Sequence, residues 1–173
     1  MFDSRAVVEC AVADLQDVVW SPNSFDQLQI PKDTKHLLVS VASSRLRSRN
    51  EPTFDDFLAR EGRGLNVLLY GQPGVGKTFT VKATSERFGI PLYSISAGEL
   101  IADHGDPLQL DQALGRIVRI AHHFNAMLLL DEADVFMESR SASNASYNRL
   151  VTIFLRKLEY YEGILNISSA VVS

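Results

Sequence analysis

A glycine-rich segment, Gly71–Thr78, has the residue types and spacing to hold a phosphate group. It reads GQPGVGKT and has the form G-x-x-x-x-G-K-[ST], with a third glycine inside. Glycines allow successive backbone N–H groups to turn inward and form an anion-binding concavity. In such a segment the lysine reaches the β- and γ-phosphates of a nucleotide, and the hydroxyl after it ligates Mg²⁺. We therefore expect Lys77 to bind phosphate and Thr78 to bind the metal ion.

An acidic pair, Asp131 and Glu132, supplies the second part of such a site. The apolar run before it, residues 127–130, predicts a strand buried on both faces, as in a parallel sheet. In open α/β sheets, ligands bind at the carboxyl ends of the strands, where this pair would lie. We expect Asp131 to hold Mg²⁺ through water, and Glu132 to orient and deprotonate an attacking water. The implied chemistry is nucleoside-triphosphate hydrolysis, with Lys77 and Glu132 as the catalytic candidates.

The predicted nucleotide contacts comprise the whole glycine-rich segment and one residue beyond it. They are Gly71, Gln72, Pro73, Gly74, Val75, Gly76, Lys77, Thr78 and Phe79. The predicted metal ligands are Thr78 and Asp131.

Strands and helices are predicted to alternate around the two motifs. The ranges are 66–70 (strand), 78–88 (helix), 92–96 (strand), 108–124 (helix), 127–130 (strand), 147–161 (helix) and 164–169 (strand). This alternation implies parallel βαβ units with right-handed crossovers. Apolar residues recur at helical spacing in the helix over 108–124: Leu110, Leu114, Ile117, Val118 and Ala121. A second stripe, expected in the core, comprises Leu150, Phe154, Leu158 and Tyr161.

The remaining segments carry weaker patterns. We predict an extended piece over 25–30 and a helix over 32–47, which carries Leu37, Leu38 and Val41 on one face. The other predictions are a short helix over 55–60, a loop over 98–107 and a Ser/Asn-rich loop over 139–146.

Composition fits one soluble globular domain inside a cell. The chain has 173 residues, of which 46% are hydrophobic and 22% charged, and its net charge is −4. This acidic balance argues against a dominant nucleic-acid-binding surface. A single cysteine, Cys10, excludes an internal disulfide framework and a cysteine metal cluster. The sequence contains neither a signal-type N-terminus nor an apolar stretch of the ~20 residues needed to span a bilayer, so we expect an intracellular protein.

The two motifs together resemble the AAA branch of the P-loop ATPases. They read GQPGVGKT and LLLDEADVFMESR, and 54 residues separate Lys77 from Asp131. The resemblance covers about residues 20–165 and is greatest to the AAA cores of a group of fungal-type proteins. These cores contain sequences similar to GRGL before the first strand, YSISAGEL following the second and FLRKLEYYEGIL after the acidic motif. The resemblance implies a three-layer αβα P-loop NTPase fold with a mostly parallel sheet, strand order 5-1-4-3-2, ATP with Mg²⁺, and usually a ring of subunits.

The chain departs from this family pattern at three places. Ala170 stands where similar domains carry a polar sensor residue, usually Asn, and its side chain cannot hydrogen-bond to the γ-phosphate or the attacking water. The sequence ends at Ser173, before the fifth strand, the helical lid and the arginine fingers of such domains. The segment Ile101–Pro107 lacks the aromatic–aliphatic–glycine trio that grips a threaded polypeptide. We therefore expect an incomplete fold, slow hydrolysis and no translocation.

Two domain-level expectations follow. Residues 1–50 are an N-terminal extension or linker, and residues 51–173 are a partial AAA nucleotide-binding domain. Without a fifth strand, the first strand would lie at the edge of the sheet, although its apolar sequence suits an interior position.

The sequence leaves three functions open. The first is an ATPase, and the second is a binding module in which nucleotide occupancy changes a partner interaction with little turnover. The third is a nucleic-acid helicase, because residues 131–134 spell DEAD, the tetrapeptide of one helicase class. Such enzymes, however, need a longer gap between the two motifs. They also need a Ser-Ala-Thr motif, where this chain has Ser168-Ser169-Ala170. The expected partners are ATP, further copies of the chain in a homo-oligomer, and a protein client that the sequence does not identify. Neither nucleic acid nor a membrane is favoured.

Overall fold

A parallel sheet of four strands forms the centre of the computed structural model, which describes residues 11–50, 64–135, 145–159 and 161–170. The strands are β1 (Leu65–Gly71), β2 (Leu92–Ser96), β3 (Met127–Asp131) and β4 (Ile164–Ala170). Their spatial order is β1-β4-β3-β2, which confirms the 1-4-3-2 part of the expected order. The register aligns Gly71 of β1 with Ala170 of β4, and Ser96 of β2 with Asp131 of β3. The carboxyl ends of all four strands therefore meet at one edge of the sheet.

Six helices surround the sheet within the described residues. They are α1 (Asn23–Asp26), α2 (Lys32–Asn50), α3 (Lys77–Phe88), α4 (Ala97–Asp103), α5 (Pro107–His123) and α6 (Ala145–Glu159). A short 3₁₀ turn, Val12–Asp14, precedes them.

Helices cover both faces of the sheet, so the fold has three layers. On one face, α5 and α6 pack against β2, β3 and β4 through the larger core cluster, in which Leu110 and Ala121 are fully buried. On the other face, Ala42 of α2 and Val81 of α3 pack against Leu129 of β3. The four residues of the predicted stripe are buried as expected: Leu150, Phe154 and Leu158 on α6, and Tyr161 two residues beyond its end.

Local sequence explains where these helices begin and end. The Asp106 carboxylate accepts hydrogen bonds from the N–H groups of Leu108 and Gln109, and Pro107 occupies the first helical position of α5. Helix α3 ends at Gly89, whose φ of +60° is a left-handed conformation that glycine adopts without steric cost.

Two of the weaker sequence predictions are wrong. Residues 23–26 form a helical turn that buries Phe25, where an extended piece was expected over 25–30. Residues 97–103 form helix α4, where a loop was expected over 98–107, because the Ser96 hydroxyl accepts the Glu99 N–H and caps the helix. The three residues predicted on one face of α2, Leu37, Leu38 and Val41, line the same apolar groove beside β1; Leu37 is 62% exposed and Ala42 is buried in the core.

The remaining predictions are either confirmed or not tested by the described residues. The strand and helix predictions from residue 66 onward are confirmed to within about two residues at each end. The short helix expected over 55–60 lies outside the described residues, as does most of the loop expected over 139–146. The domain boundary placed at residue 50 stays a prediction, although Phe25 and Leu28 already pack against Ala83 of α3.

Candidate functional site

The glycine-rich segment connects the carboxyl end of β1 to the first residue of α3. Gly74 and Gly76 have φ angles of +81° and +93°, which residues with a side chain rarely adopt. A Cβ at either position would meet no atom within 4 Å, so the backbone conformation and not a lack of space requires glycine there. Gly76 directly precedes α3 and accepts the Thr80 N–H at 2.8 Å. The unpaired N–H groups of the first turn of α3 therefore point toward the loop.

The Lys77 ammonium lies against the loop itself. Its Nζ donates to the carbonyl oxygens of Gly71 at 2.9 Å and of Gln72 at 3.0 Å. The side chain is half-buried, so the charge is held at the mouth of the concavity instead of extending into solvent. This geometry places a fixed cation beside the backbone donors of the loop.

A hydrogen bond joins the two predicted motifs. The Thr78 hydroxyl donates to Oδ2 of Asp131 at 2.6 Å, although 53 residues separate the two in sequence. Asp131 is the last residue of β3 and Thr78 lies in the first turn of α3. The contact forms because the carboxyl ends of β1 and β3 lie at the same edge of the sheet, with only β4 between them.

Glu132 follows β3 in a left-handed backbone conformation, with φ at +57°. Its N–H donates to Oδ1 of Asp131 at 3.1 Å, and its carboxylate accepts a hydrogen bond from the Ser96 hydroxyl at 3.0 Å. Sequence reasoning missed Ser96 as a member of this site. The signal was available, because Ser96 ends β2, the strand next to β3, and so reaches the same edge of the sheet.

Asp134 is a second residue that sequence reasoning missed. Its Oδ1 accepts the Ala170 N–H at 3.2 Å, and the Ser168 carbonyl accepts the Ala133 N–H at 2.8 Å. These bonds tie the segment after β3 to the end of β4. They also place Ala170 on the wall of the site, where its methyl group offers no hydrogen bond.

An open cavity of about 680 Å³ lies above this edge of the sheet. Its wall includes most of the predicted site residues: Pro73, Gly74, Gly76, Lys77, Thr78, Phe79, Asp131 and Glu132. The structure places Gly71, Gln72 and Val75 in the same loop but not on the cavity wall; Val75 is 61% exposed. The volume lies within the range of small-molecule and cofactor sites.

Carboxylates outnumber ammonium groups around this cavity, so a bound anion would need an accompanying cation to balance the charge. Lys77 and Lys82 face the three carboxylates of Asp131, Glu132 and Asp134 across it. Among the residues that the structure describes, no group of three or more His, Cys, Asp or Glu side chains could hold a metal ion by itself. The hydroxyl of Thr78 and the carboxylate of Asp131 are nevertheless hard oxygen donors, which fit a Mg²⁺ ion that takes its other ligands from phosphate and water.

The chain belongs to the ATPase family associated with various cellular activities (AAA), because the model of that family matches residues 67–168. This range contains both motifs of the site and the strands that carry them. Membership supports a nucleotide-binding, ATPase-type function in general.

Curated relatives carry the same domain within longer proteins. The chain is 29% identical over 139 residues to a spastin from Naegleria gruberi, an alignment that covers 79% of this chain and 25% of the relative. It is 32% identical over 107 residues to a fidgetin-like protein 1 from Xenopus laevis, covering 61% of this chain and 16% of the relative. The chain thus spans a quarter or less of the length of these two relatives.

Solved structures share the fold. The FIGL-1 AAA domain superposes with a TM-score of 0.64 at 17% identity, covering 88% of this chain and 50% of that domain. The same domain in complex with ADP superposes with a TM-score of 0.61, also at 17% identity, over 84% of this chain and 48% of that one. A structure from a study of katanin self-assembly gives a TM-score of 0.59 at 16% identity, covering 86% of this chain and 47% of that one.

In the described part of the chain, no helix combines the length and the apolar character needed to cross a bilayer.

Proposed function

We propose that this chain binds ATP together with Mg²⁺ and hydrolyses it slowly. The observation that carries the proposal is the 2.6 Å hydrogen bond between Thr78 and Asp131, which joins the glycine-rich loop to the acidic strand end. A phosphate chain bound by the loop would lie beside these two oxygen donors. The ADP complex of the structurally similar FIGL-1 AAA domain supports an adenine nucleotide as the ligand.

Each polar group of the site has a role in this proposal. The backbone N–H groups of Gly74 and Gly76 and the N-terminus of α3 bind phosphate oxygens, and Lys77 leaves its two carbonyl partners to reach the β- and γ-phosphates. Thr78 and Asp131 hold Mg²⁺, which neutralises phosphate charge when bound. Phe79, 48% exposed beside the loop, adds apolar contact to the nucleotide.

Glu132 is the group that orients the attacking water and takes its proton. In the structure Oε2 of its carboxylate accepts the Ser96 hydroxyl, a bond that orients the carboxylate and occupies only one of its two oxygens. Ala170 on the same wall offers no polar side chain to the water or to the γ-phosphate. The lack of a polar side chain at position 170 favours slow turnover.

The alanine at position 170 also favours a second candidate function. A chain that binds ATP but rarely hydrolyses it would act as a nucleotide-dependent binding module, in which occupancy of the loop changes a partner surface. We also propose that residues 51–173 form the nucleotide-binding unit, and that the chain forms homo-oligomers, as the self-assembling katanin suggests. The protein client is not assigned.

One pair of measurements on the whole chain separates the two candidates. A fluorescent ATP analogue is titrated with and without Mg²⁺, and phosphate release is measured on the same sample. Saturable Mg²⁺-dependent binding with phosphate release supports the ATPase. Binding without release above a no-protein control supports the binding module, and absence of binding rejects both.

A further inference from the structure

The regular pairing of β3 with β4 stops before β4 ends. The last paired residues are Leu130 and Ile167, whereas β4 continues to Ala170. Backbone groups alternate in direction along a strand, and the Gly163 carbonyl just before β4 accepts a hydrogen bond from β1. The groups of every second residue after Gly163 therefore point to β1. Those of Ser168 and Ala170 point the other way, toward the segment that follows β3.

Two hydrogen bonds from that segment reach these groups, and we call the two together the β4 clamp. The Ala133 N–H donates to the Ser168 carbonyl at 2.8 Å, and both residues are buried. The Ala170 N–H donates to Oδ1 of Asp134 at 3.2 Å. The first bond joins two backbone groups, whereas the second needs a side chain. Replacement of Asp134 can therefore remove half of the clamp without touching the backbone bond.

Glu132 lies between the end of β3 and the β4 clamp. Its φ of +57° is a left-handed conformation that residues with a side chain disfavour. Such a conformation persists only where the surrounding structure determines it. On one side, the Glu132 N–H donates to Oδ1 of Asp131 at 3.1 Å. On the other side, Ala133 and Asp134 are bonded to β4. The clamp thus helps to fix the backbone from which the Glu132 carboxylate projects.

The clamped end of β4 also lies beside the glycine-rich loop. Ala170 is the register partner of Gly71, the first residue of that loop, and the Gly71 carbonyl accepts a hydrogen bond from the Lys77 ammonium. The position of Glu132 relative to the loop is therefore set through β4. A general base must lie within hydrogen-bond reach of the water that it deprotonates, so this position matters for the chemical step.

We propose that Asp134 is a positioning residue for ATP hydrolysis, because its hydrogen bond to the Ala170 N–H holds Glu132 in the direction that the attacking water requires. This inference rests on the proposed ATPase function. Asp134 acts through Glu132 and not on the nucleotide. The phosphate-binding and metal-binding side chains have hydrogen bonds of their own, from Lys77 to the loop carbonyls and from Thr78 to Asp131, so loss of the Asp134 bond leaves them in place.

The charge of Asp134 offers a different explanation, because this residue also lies on the cavity wall. A carboxylate there could act directly on a water bound to Mg²⁺. Asparagine separates the two explanations, since its side-chain oxygen still accepts the Ala170 N–H but carries no charge. Alanine removes both the acceptor and the charge.

The parent chain, Asp134→Ala and Asp134→Asn are compared in three measurements. MgATP affinity is titrated with a fluorescent ATP analogue, and phosphate release is followed in a single turnover at saturating MgATP. Hydrogen exchange of the Ala170 amide is followed by NMR after isotope labelling of alanine. Asp33→Ala is the control, because it removes one carboxylate from an exposed position in the first turn of α2.

Asp134→Ala should slow phosphate release about tenfold to a hundredfold, while its MgATP affinity stays within about twofold of the parent. A merely structural role would lower affinity together with rate. The Ala170 amide should exchange about tenfold faster or more in this variant, because it has lost its acceptor. Asp134→Asn should keep the slow exchange and a release rate within about threefold of the parent. Asp33→Ala should match the parent throughout.

The positioning role is overturned if Asp134→Ala releases phosphate as fast as the parent, if its affinity falls as much as its rate, or if its Ala170 amide exchanges no faster. It is also overturned if Asp134→Asn loses as much activity as Asp134→Ala, since charge would then explain the effect. A parent chain that releases no phosphate rejects the proposed hydrolysis and this role with it. An active parent with equally active Asp134 variants rejects this role alone.

Discussion

The Lys77 ammonium is the group of the candidate site whose contacts would have to change most on phosphate binding. It donates hydrogen bonds to two carbonyl oxygens, those of Gly71 and Gln72. A bound phosphate must therefore offer more than these two neutral acceptors, which a multiply charged oxyanion does.

Replacing Lys77 by Ala should raise the dissociation constant for ATP by about tenfold to a hundredfold. Hydrogen bonds to a charged group contribute roughly 1.5–3 kcal/mol, which corresponds to this range. The measurement is a titration with a fluorescent ATP analogue in Mg²⁺. Lys35→Ala, which removes the same charge from α2, should bind like the parent. Equal affinity of the Lys77 variant and the parent would contradict the proposed phosphate contact.

Glu132→Gln should separate binding from chemistry. The amide keeps the size of the side chain and can still bond to the Ser96 hydroxyl, but it cannot take a proton. We expect ATP affinity within about twofold of the parent, and phosphate release reduced about a hundredfold or to background. Single-turnover phosphate release measures the chemical step. A variant as active as the parent would reject Glu132 as the base and leave the binding proposal standing.

Sequence alone could name the site residues but not their contacts. Two short motifs predict Lys77, Thr78, Asp131 and Glu132. Each motif is recognised from particular residue types at fixed spacings along the chain, so no structure is needed to find it. Ser96 could not be found in this way, since its contact with Glu132 depends on the pairing of β2 with β3. The roles of all these residues stay predictions.

At the scale of elements, the structure shows why periodicity predicted some segments and not others. The buried run before Asp131 and the amphipathic pattern of α5 are long and regular, so strand and helix were predicted with nearly the observed bounds. Helix α4 is only seven residues long and contains Gly98, which suggested a loop. The decisive signal was Ser96 with Glu99 three residues later, a capping pattern that outweighs one glycine.

A buried hydrogen bond helps to hold the loop after α6 against the sheet. The Tyr161 hydroxyl donates to the Ala126 carbonyl at 2.8 Å, and Tyr161 is only 3% exposed. Ala126 directly precedes β3, so this bond ties the approach to β4 to the strand that carries Asp131.

Tyr161→Phe should lower the free energy of unfolding by about 1–3 kcal/mol, because the buried Ala126 carbonyl loses its side-chain donor. The measurement is a urea titration followed by circular dichroism. Tyr70→Phe removes a hydroxyl from a tyrosine that is 75% exposed, and its cost should stay below about 0.5 kcal/mol. Equal costs for the two variants would mean that the Tyr161 bond contributes little.

At the scale of the whole molecule, nucleotide binding should couple to global stability. The loop leads directly into α3, and α3 shares a core with β3, since Val81 of α3 packs with Leu129 of β3. A ligand that binds only the folded chain therefore stabilises all of it.

With MgATP at about a hundred times its dissociation constant, the chain should gain about 2.7 kcal/mol. For a chain of this size, that gain corresponds to a rise in melting temperature of roughly 5–10 °C. Differential scanning fluorimetry measures it, with Lys77→Ala and omission of Mg²⁺ as controls. An identical rise in Lys77→Ala would place the stabilising ligand outside the glycine-rich loop.

The left-handed backbone at Glu132 has an evolutionary consequence. Glycine or asparagine would suit a φ of +57° better than glutamate does, by about 1 kcal/mol. A library of random variants selected only for heat resistance should therefore drift toward those two residues at position 132. If Glu132 is the catalytic base, the selected variants would be more stable but would no longer hydrolyse ATP. Selection for thermal stability and selection for hydrolysis therefore oppose one another at position 132.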